Sequence, residues 1–499
     1  MAASSPRNRT AVLVLLSLAA AVNAHEHHGD KVPAGEAVSQ DPIDAILWTH
    51  ILIQGFAWGI LYPLGMVLGI IRSRWHVPCQ ILASALAIVG YFLGHAHKGR
   101  QFTHNVHASF ANWLMLMVAV QGGLGVYLKL HLERGLFGKS RSFFVTIHGV
   151  LGKALPVAAW VQMLFGGIVL EGFCRGDHLG QCLAHFIMGS AFIGYGIMLT
   201  ILLLVGQAWL KRRGKSQEFF DSAVIAAWGC VNTFTEHRWG GPWVGNDLQH
   251  TTMGIIWWSA GLVGMWLSRD SAGRPKRNII PGMVILLTGW AMSGHPQHLM
   301  LSTMVHTVFG YTLMAAGLTR IIEISFVLRD RNNYSDLTTE QRSSHGHHAD
   351  TEEETHSFQF LPVFLLYASG FMFMGATEEQ MQMLSDADVT HVSYVLILFS
   401  CAFILFLFVN LLLRIYSSSA GPQRQVKLGS TDEEGAPMLN GHAMNGSGSA
   451  HERRQVRQAE EFELEGLISD DEDARPLGEI PGGSDSGDSG SGRRKERRA

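Results

Sequence analysis

The sequence predicts an all-α polytopic membrane protein with about eleven transmembrane helices in two bundles and a disordered cytosolic C-terminal tail. Three observations carry that expectation. Apolar blocks recur along the chain, only 16% of its 499 residues are charged, and those charges fall in short runs between the blocks. A formal net charge of -3 excludes a strongly basic nucleic-acid binder, so the expected partner is the lipid bilayer and not a nucleic acid.

The elements follow in chain order. Arg7 and Arg9 precede the apolar run Ala11 to Val22, which ends in Val22-Asn23-Ala24. This is the charged, apolar and small-residue order of a cleaved signal peptide, residues 1–24. The next segment, 25–42, opens with the histidine-rich His25-Glu26-His27-His28-Gly29-Asp30 and would be lumenal. Apolar segments then recur at 43–71, 77–97, 105–128, 143–170, 183–210, 219–236, 248–267, 279–294, 299–327, 359–376 and 391–413. Most reach the roughly 20 residues that cross a bilayer, while the sixth, eighth and tenth are short.

Charge bias predicts the orientation. With the N-terminus outside, the cytosolic connections carry Arg72 and Arg74, Lys129, Arg134, Lys139 and Arg141, Lys211 to Lys215, Arg269 to Arg277, and Arg329 and Arg331. The other face has Lys98, Arg100, Arg175 and Arg238, which agrees with the positive-inside rule. Cys174 and Cys182 then share a loop on the oxidising side, where a disulfide is expected. The polar stretch 328–358 is a cytosolic loop, and residues 415–499 lack the apolar content to fold. Within that tail, Glu463 with Leu467 and Ile468 fits an acidic dileucine signal for the sorting machinery. Ser469 ahead of Asp470 to Asp473 fits an acidophilic kinase site. The expected location is the secretory pathway: plasma membrane, vacuolar or other endomembrane.

Four histidines carry the most specific chemical pattern. His50 and His107 each lie 22 residues before a basic residue, Arg72 and Lys129, that marks the cytosolic end of their segment. His76 lies 22 residues before Lys98, and His148 23 before Glu171, at the other end. At a fixed rise per residue these spacings give two depth-matched pairs, His50 with His107 and His76 with His148. Facing imidazoles on separate helices are what axial ligation of a haem iron requires, so two b-type haems are expected cofactors. Lys98 and Arg100 at one end, with Arg72, Arg74 and Lys153 at the other, are candidates to neutralise propionates. His107 also precedes Gln121-Gly122-Gly123 by the interval at which His148 precedes Gln162, with Phe165-Gly166-Gly167 close behind.

At these residues the chain resembles the cytochrome b561 family. The carrying stretches are His50 with Trp58-Gly59, Leu61 and Pro63-Leu64-Gly65, then Trp75-His76-Val77 with Cys79-Gln80, then His107 with Gln121, then His148-Gly149 with Gly152. The resemblance implies a four-helix, two-haem electron carrier over 43–171, with His50, His107, His76 and His148 as ligands. It brings no donor-site motif, and a cytosolic electron donor is expected from the orientation instead. His104 offers a second imidazole beside His107.

A second polar set belongs to the C-terminal membrane bundle, 172–414. Glu236, His237, Asp247, His250, His295, His298 and His306, with Glu378, Glu379, Asp386, Asp388 and His391 nearby in topology, all fall at helix ends on the lumenal face. Histidines and carboxylates from several helix ends are the ingredients of a zinc, copper or iron site. The wider pattern resembles a fungal family of transmembrane proteins, the Ytp type, through His104-Asn-Val-His107-Ala with Asn112-Trp113-Leu114-Met115, Asn232 to Trp239, Asp247 to Gly254, Ser293 to His298 and Met374 to Gln380. Three functions stay open at this level. The first is transmembrane electron transfer through two haems toward a lumenal acceptor such as a metal ion, a metal-reductase type of oxidoreductase. The second is a lumenal metal-dependent hydrolase or metal transporter built on the second set. The third is a membrane scaffold without a cofactor.

Overall fold

The computed structural model describes residues 32–33, 36–130, 140–237, 240–295, 297–328 and 355–428, with side chains to 419. The expected signal peptide, the His25–Asp30 cluster, most of the 328–358 loop and the sorting and kinase motifs lie outside the described residues.

The described residues are helical almost throughout. Helix α1 (Ala45–Ile70) starts at Asp44, whose side chain accepts from the Leu47 amide at 2.8 Å, and carries a π-turn over Ala57–Leu61. Helices α2 (His76–Ala96), α3 (Val106–Lys129) and α4 (Arg141–Glu171) follow. Asn105 caps α3 by accepting from the Ala108 amide, and Gly172, at φ +73°, ends α4 in the left-handed region that a Cβ disfavours. One end of this bundle is laced together by the segment before α1. The Asp44 carboxylate also accepts from the Lys98 and Gly99 amides, and Arg100 reaches the Leu170 carbonyl at 3.0 Å and Glu171 at 3.5 Å. The Lys98 and Leu47 amides hold the Asp44 carboxyl below the usual carboxylate range.

Helices α5 (Leu179–Leu204), α6 (Gln207–Arg213), α7 (Gln217–Thr235), α8 (Gly245–Leu267), α9 (Ile280–Ser293), α10 (Met300–Ile322), α11 (Phe360–Met374), α12 (Glu378–Asp386) and α13 (His391–Leu428) complete the fold. Here backbones meet directly. A Cβ on Gly289 or Gly310 would lie 2.5 Å from the other's carbonyl, joining α9 to α10, and Gly189 and Gly370 stand in the same relation across α5 and α11 at 2.6 Å. On α8, a Cβ at Gly261 would meet the Ala226 amide of α7 at 2.5 Å. Lipid offers little hydrophobic reward for joining helices, so such small-residue contacts supply the packing. Phe309, Leu313, Tyr367 and Met372 fill the core these pairs enclose.

Eight helices are long and apolar enough to cross a bilayer among the described residues, and the chain is a polytopic membrane protein. The expected tenth segment qualifies as Ser357–Met374. The sixth, seventh and eighth segments form α7, α8 and α9 but do not reach that measure, so it does not yield eleven. The reasons are physical. Helix α7 buries Glu218, Asp221, Asn232 and Thr233, α8 opens with Asp247, Gln249 and His250, and α9 has only 14 residues. The buried acids of α7 meet Arg320 of α10, which bonds Glu218 at 2.8 Å and Glu323 at 2.7 Å, while Tyr195 of α5 donates to Asp221. A π-turn, Glu323–Val327, lies at this cluster.

Candidate functional site

The four histidines of the first bundle come together in two pairs, as their depths predict. The His50 and His107 ring centroids lie 6.3 Å apart with planes at 89°, and those of His76 and His148 lie 6.4 Å apart, also at 89°. Each pair joins an α1/α2 helix to an α3/α4 helix. His107 points inward while His104 is exposed, which decides between the two candidates.

The orientation of the rings is set from behind. His50 Nδ1 is 2.6 Å from the Gly90 carbonyl, His76 Nδ1 is 2.7 Å from that of Gly65, and His107 Nδ1 is 3.1 Å from that of Gln162. A carbonyl oxygen only accepts, so Nδ1 carries the proton and Nε2 keeps its lone pair. Four residues beyond each of those carbonyls comes a glycine that cradles the same ring. A Cβ on Gly94 would sit 2.7 Å from His50, on Gly69 2.8 Å from His76, and on Gly166 3.1 Å from His107. Gly125 stands in that relation to His148 at 3.4 Å. Gln121 and Gln162 complete the pattern by donating to the His148 and His107 carbonyls, both at 2.9 Å.

These contacts disclose a fourfold repeat. Counting from the histidine, the glycine cradle stands 18 residues on in α2, α3 and α4 and 19 on in α1 (His76 to Gly94, His107 to Gly125, His148 to Gly166, His50 to Gly69). The π-turn in α1 absorbs the extra residue and restores the register. Between the two histidine levels lies a buried layer of Trp58, Tyr62, Ala83, Ala87, Leu114, Val118 and Leu155.

The second polar set is brought together only in part. His250 Nδ1 faces Glu236 at 3.4 Å, its ring lies 5.2 Å from that of His295 at 10°, and His295 lies 6.4 Å from His306. His237 makes a separate pair with Asp247 at 2.9 Å and stacks on Trp243 at 3.7 Å. His298 is exposed, and no ring contact joins it to the others among the described residues. Glu378 and Glu379 serve a different purpose. Glu379 accepts from the Cys174 amide at 2.8 Å and Glu378 faces His178 at 3.5 Å, so both brace the loop in which Cys174 and Cys182 are joined as a disulfide. Sequence reasoning missed His185, which extends the row from His306 at 5.9 Å. Its signal was an imidazole inside an apolar segment, three residues after Cys182. It also missed the Glu218, Asp221, Arg320 and Glu323 cluster.

The family described as "Protein YTP1-like, C-terminal" matches residues 158–417, more than half of the chain. The chain belongs to this family. A second family, described as "Domain of unknown function (DUF2427)", matches residues 30–131 and so takes in α1 to α3. Among relatives, Protein YTP1 of Saccharomyces cerevisiae is 40% identical over 307 residues, 61% of this chain and 62% of the relative. An uncharacterized membrane protein of Schizosaccharomyces pombe is 24% identical over 56% of this chain and 79% of its own length. A further uncharacterized membrane protein of S. cerevisiae is 23% identical over 52% of this chain and 47% of its own. The match thus covers less than two thirds of the YTP1 protein. No solved structure matches the chain.

Proposed function

We propose that this protein is a transmembrane electron carrier whose first four helices hold two b-type haems, one between His50 and His107 and one between His76 and His148. The observation that supports this most is the ring spacing. Two imidazoles bound on opposite sides of one metal through Nε2, at a metal–nitrogen distance of about 2 Å, bring their centroids to about 6 Å apart. The two pairs stand at 6.3 and 6.4 Å.

The donor chemistry fits as well. Metal-bound imidazoles ordinarily donate their other N–H to a carbonyl or carboxylate, which fixes tautomer and ring angle, and the Gly90, Gly65 and Gln162 carbonyls are placed to do so. The glycine cradles leave room for the rings at close helix approach, and the buried layer around Trp58 and Tyr62 excludes water between the levels. His76 and Gly90, which face opposite levels on α2, are 14 residues apart, so the levels are separated by about 21 Å. Haem b at both levels would supply one-electron redox chemistry near each face of the membrane. In the orientation that the signal sequence and charge bias predict, the donor is cytosolic and the acceptor lumenal, such as a metal ion.

A reduced-minus-oxidised absorbance spectrum of the purified full chain tests this. Bands of b-type haem are expected, with His50→Ala removing about half of their amplitude and His50→Ala combined with His76→Ala removing all of it. Folded protein without such bands overturns the reading.

A further inference from the structure

Away from the first bundle, four imidazoles form a continuous row. His185 on α5, His306 on α10, His295 after α9 and His250 on α8 follow one another at centroid separations of 5.9, 6.4 and 5.2 Å. The row runs inward from a partly open end. His250 and Glu236 keep 31% and 27% of their side-chain surface, whereas His306 and His185 are buried, with 3% and 9% of the whole residue exposed.

The second ring nitrogens of His185, His306 and His250 are already bonded in the way that ligands require. His185 Nδ1 donates to the Gln181 carbonyl at 2.8 Å, His306 Nδ1 to the Ser302 carbonyl at 2.9 Å, and His250 Nδ1 faces the Glu236 carboxylate. At His295 the Gln297 amide N–H donates to Nδ1 at 2.7 Å while Ser302 donates to Gln297 Oε1, so His295 becomes a ligand through Nε2 only when that amide turns its oxygen to Nδ1. At the inner end, His185 Nε2 is buried and has no hydrogen-bond partner, with its ring stacked on Phe373 at 4.6 Å. A buried acceptor left unpaired costs on the order of 1–3 kcal/mol, and a ligand that uses its lone pair removes that cost.

We propose that His185, His306, His295 and His250 bind a divalent first-row transition ion of the zinc and copper class, with Glu236 supporting His250 from behind. Neutral imidazoles from three helices and the loop after α9 select such an ion over calcium or magnesium, which take oxygen ligands. Only Cys174, Cys182 and Glu379 bring three ligand-type side chains within 4.8 Å among the described residues, and there the sulfurs are bonded to each other. The histidine row is more open, and a bound ion draws its rings together by side-chain rotation. The site stands without the haem reading, since it uses none of His50, His76, His107 or His148.

Copper binding to the full chain provides the test. The chain carries His25→Ala, His27→Ala, His28→Ala, His345→Ala, His347→Ala and His348→Ala, so that the clustered imidazoles near the N-terminus and in the 328–358 loop do not contribute. Titration with Cu(II), followed by electron paramagnetic resonance, is expected to give one tightly bound ion per chain with nitrogen splittings from at least three imidazoles. Zinc should displace it. His185→Gln and His306→Gln should each weaken binding roughly tenfold or more, and Glu236→Gln by about tenfold, while His298→Ala and His50→Ala leave it unchanged. Size-exclusion profiles establish that each variant is folded, and the spectrum of the unsubstituted row needs no variant in the row. Copper bound without nitrogen splittings, or with the same affinity in His185→Gln, overturns the proposal. Loss of haem bands with copper binding intact would sink only the electron-transfer reading.

Discussion

The first four helices present His50, His76 and His107, and the helices from α5 onward His185, His250 and His306, with Nδ1 turned to an acceptor, yet the two regions hold them by different means. In the first bundle each ring rests against a glycine on its antiparallel neighbour, and one spacing recurs on all four helices once the π-turn is counted. The rings of a pair face each other across two helix pairs. In the second region no spacing recurs. His185, His250, His295 and His306 sit at different points on their elements and are gathered because Gly261, Gly289, Gly310, Gly189 and Gly370 let the helices meet backbone to backbone. A repeat places histidines by register, whereas a tightly packed bundle places them by helix approach, and the second means leaves little trace in one dimension.

Three perturbations break or sharpen that contrast. The largest effect is expected in the second region. Arg320→Leu leaves Glu218 and Glu323 buried without their cation, and removing one partner of a buried pair costs about 3–5 kcal/mol. A marked fall in thermal midpoint should follow, with the haem bands proposed for the first bundle retained below the transition. If those bands vanish at low temperature, the loss reaches the first bundle through contacts such as Trp160 with Ser190.

A graded series sharpens the first region. Gly94→Ala and Gly69→Ala place a methyl under 3 Å from an imidazole, Gly166→Ala at 3.1 Å and Gly125→Ala at ordinary contact distance, 3.4 Å. Overpacking of the first two should cost about 1–3 kcal/mol and, on the proposed haem reading, weaken haem retention at the level each serves, His50 for Gly94 and His76 for Gly69. Gly166→Ala should do less and Gly125→Ala least. Equal losses across the four variants would show that glycine serves helix packing and not the rings.

The smallest effect concerns the lacing at the end of the first bundle. Amide donors lower the Asp44 carboxyl from its ordinary value of 3.8 in the folded chain. Its stabilisation is therefore fully present above that value and is lost as pH falls through the lowered one. Asp44→Asn should flatten the acid limb of a stability profile below pH 3.8 and leave the neutral-pH haem spectrum unchanged. An unaltered acid limb would remove Asp44 from the lacing.

Sequence by itself determined the membrane class, the approximate positions of the long apolar helices and the pairing of His50 with His107 and of His76 with His148. The physical reason is that a bilayer makes hydropathy periodic and a helix converts residue number into depth at a constant rise. Tertiary structure alone decided the rest. It turned His104 outward and His107 inward, and it compensated the extra residue of α1 with a π-turn. His237 was paired with Asp247 and His298 left exposed, while Glu378 and Glu379 were placed against the disulfide loop. His185, hidden in an apolar run, was brought beside His306, because azimuth around a helix and the approach of its neighbours depend on contacts far apart in the chain.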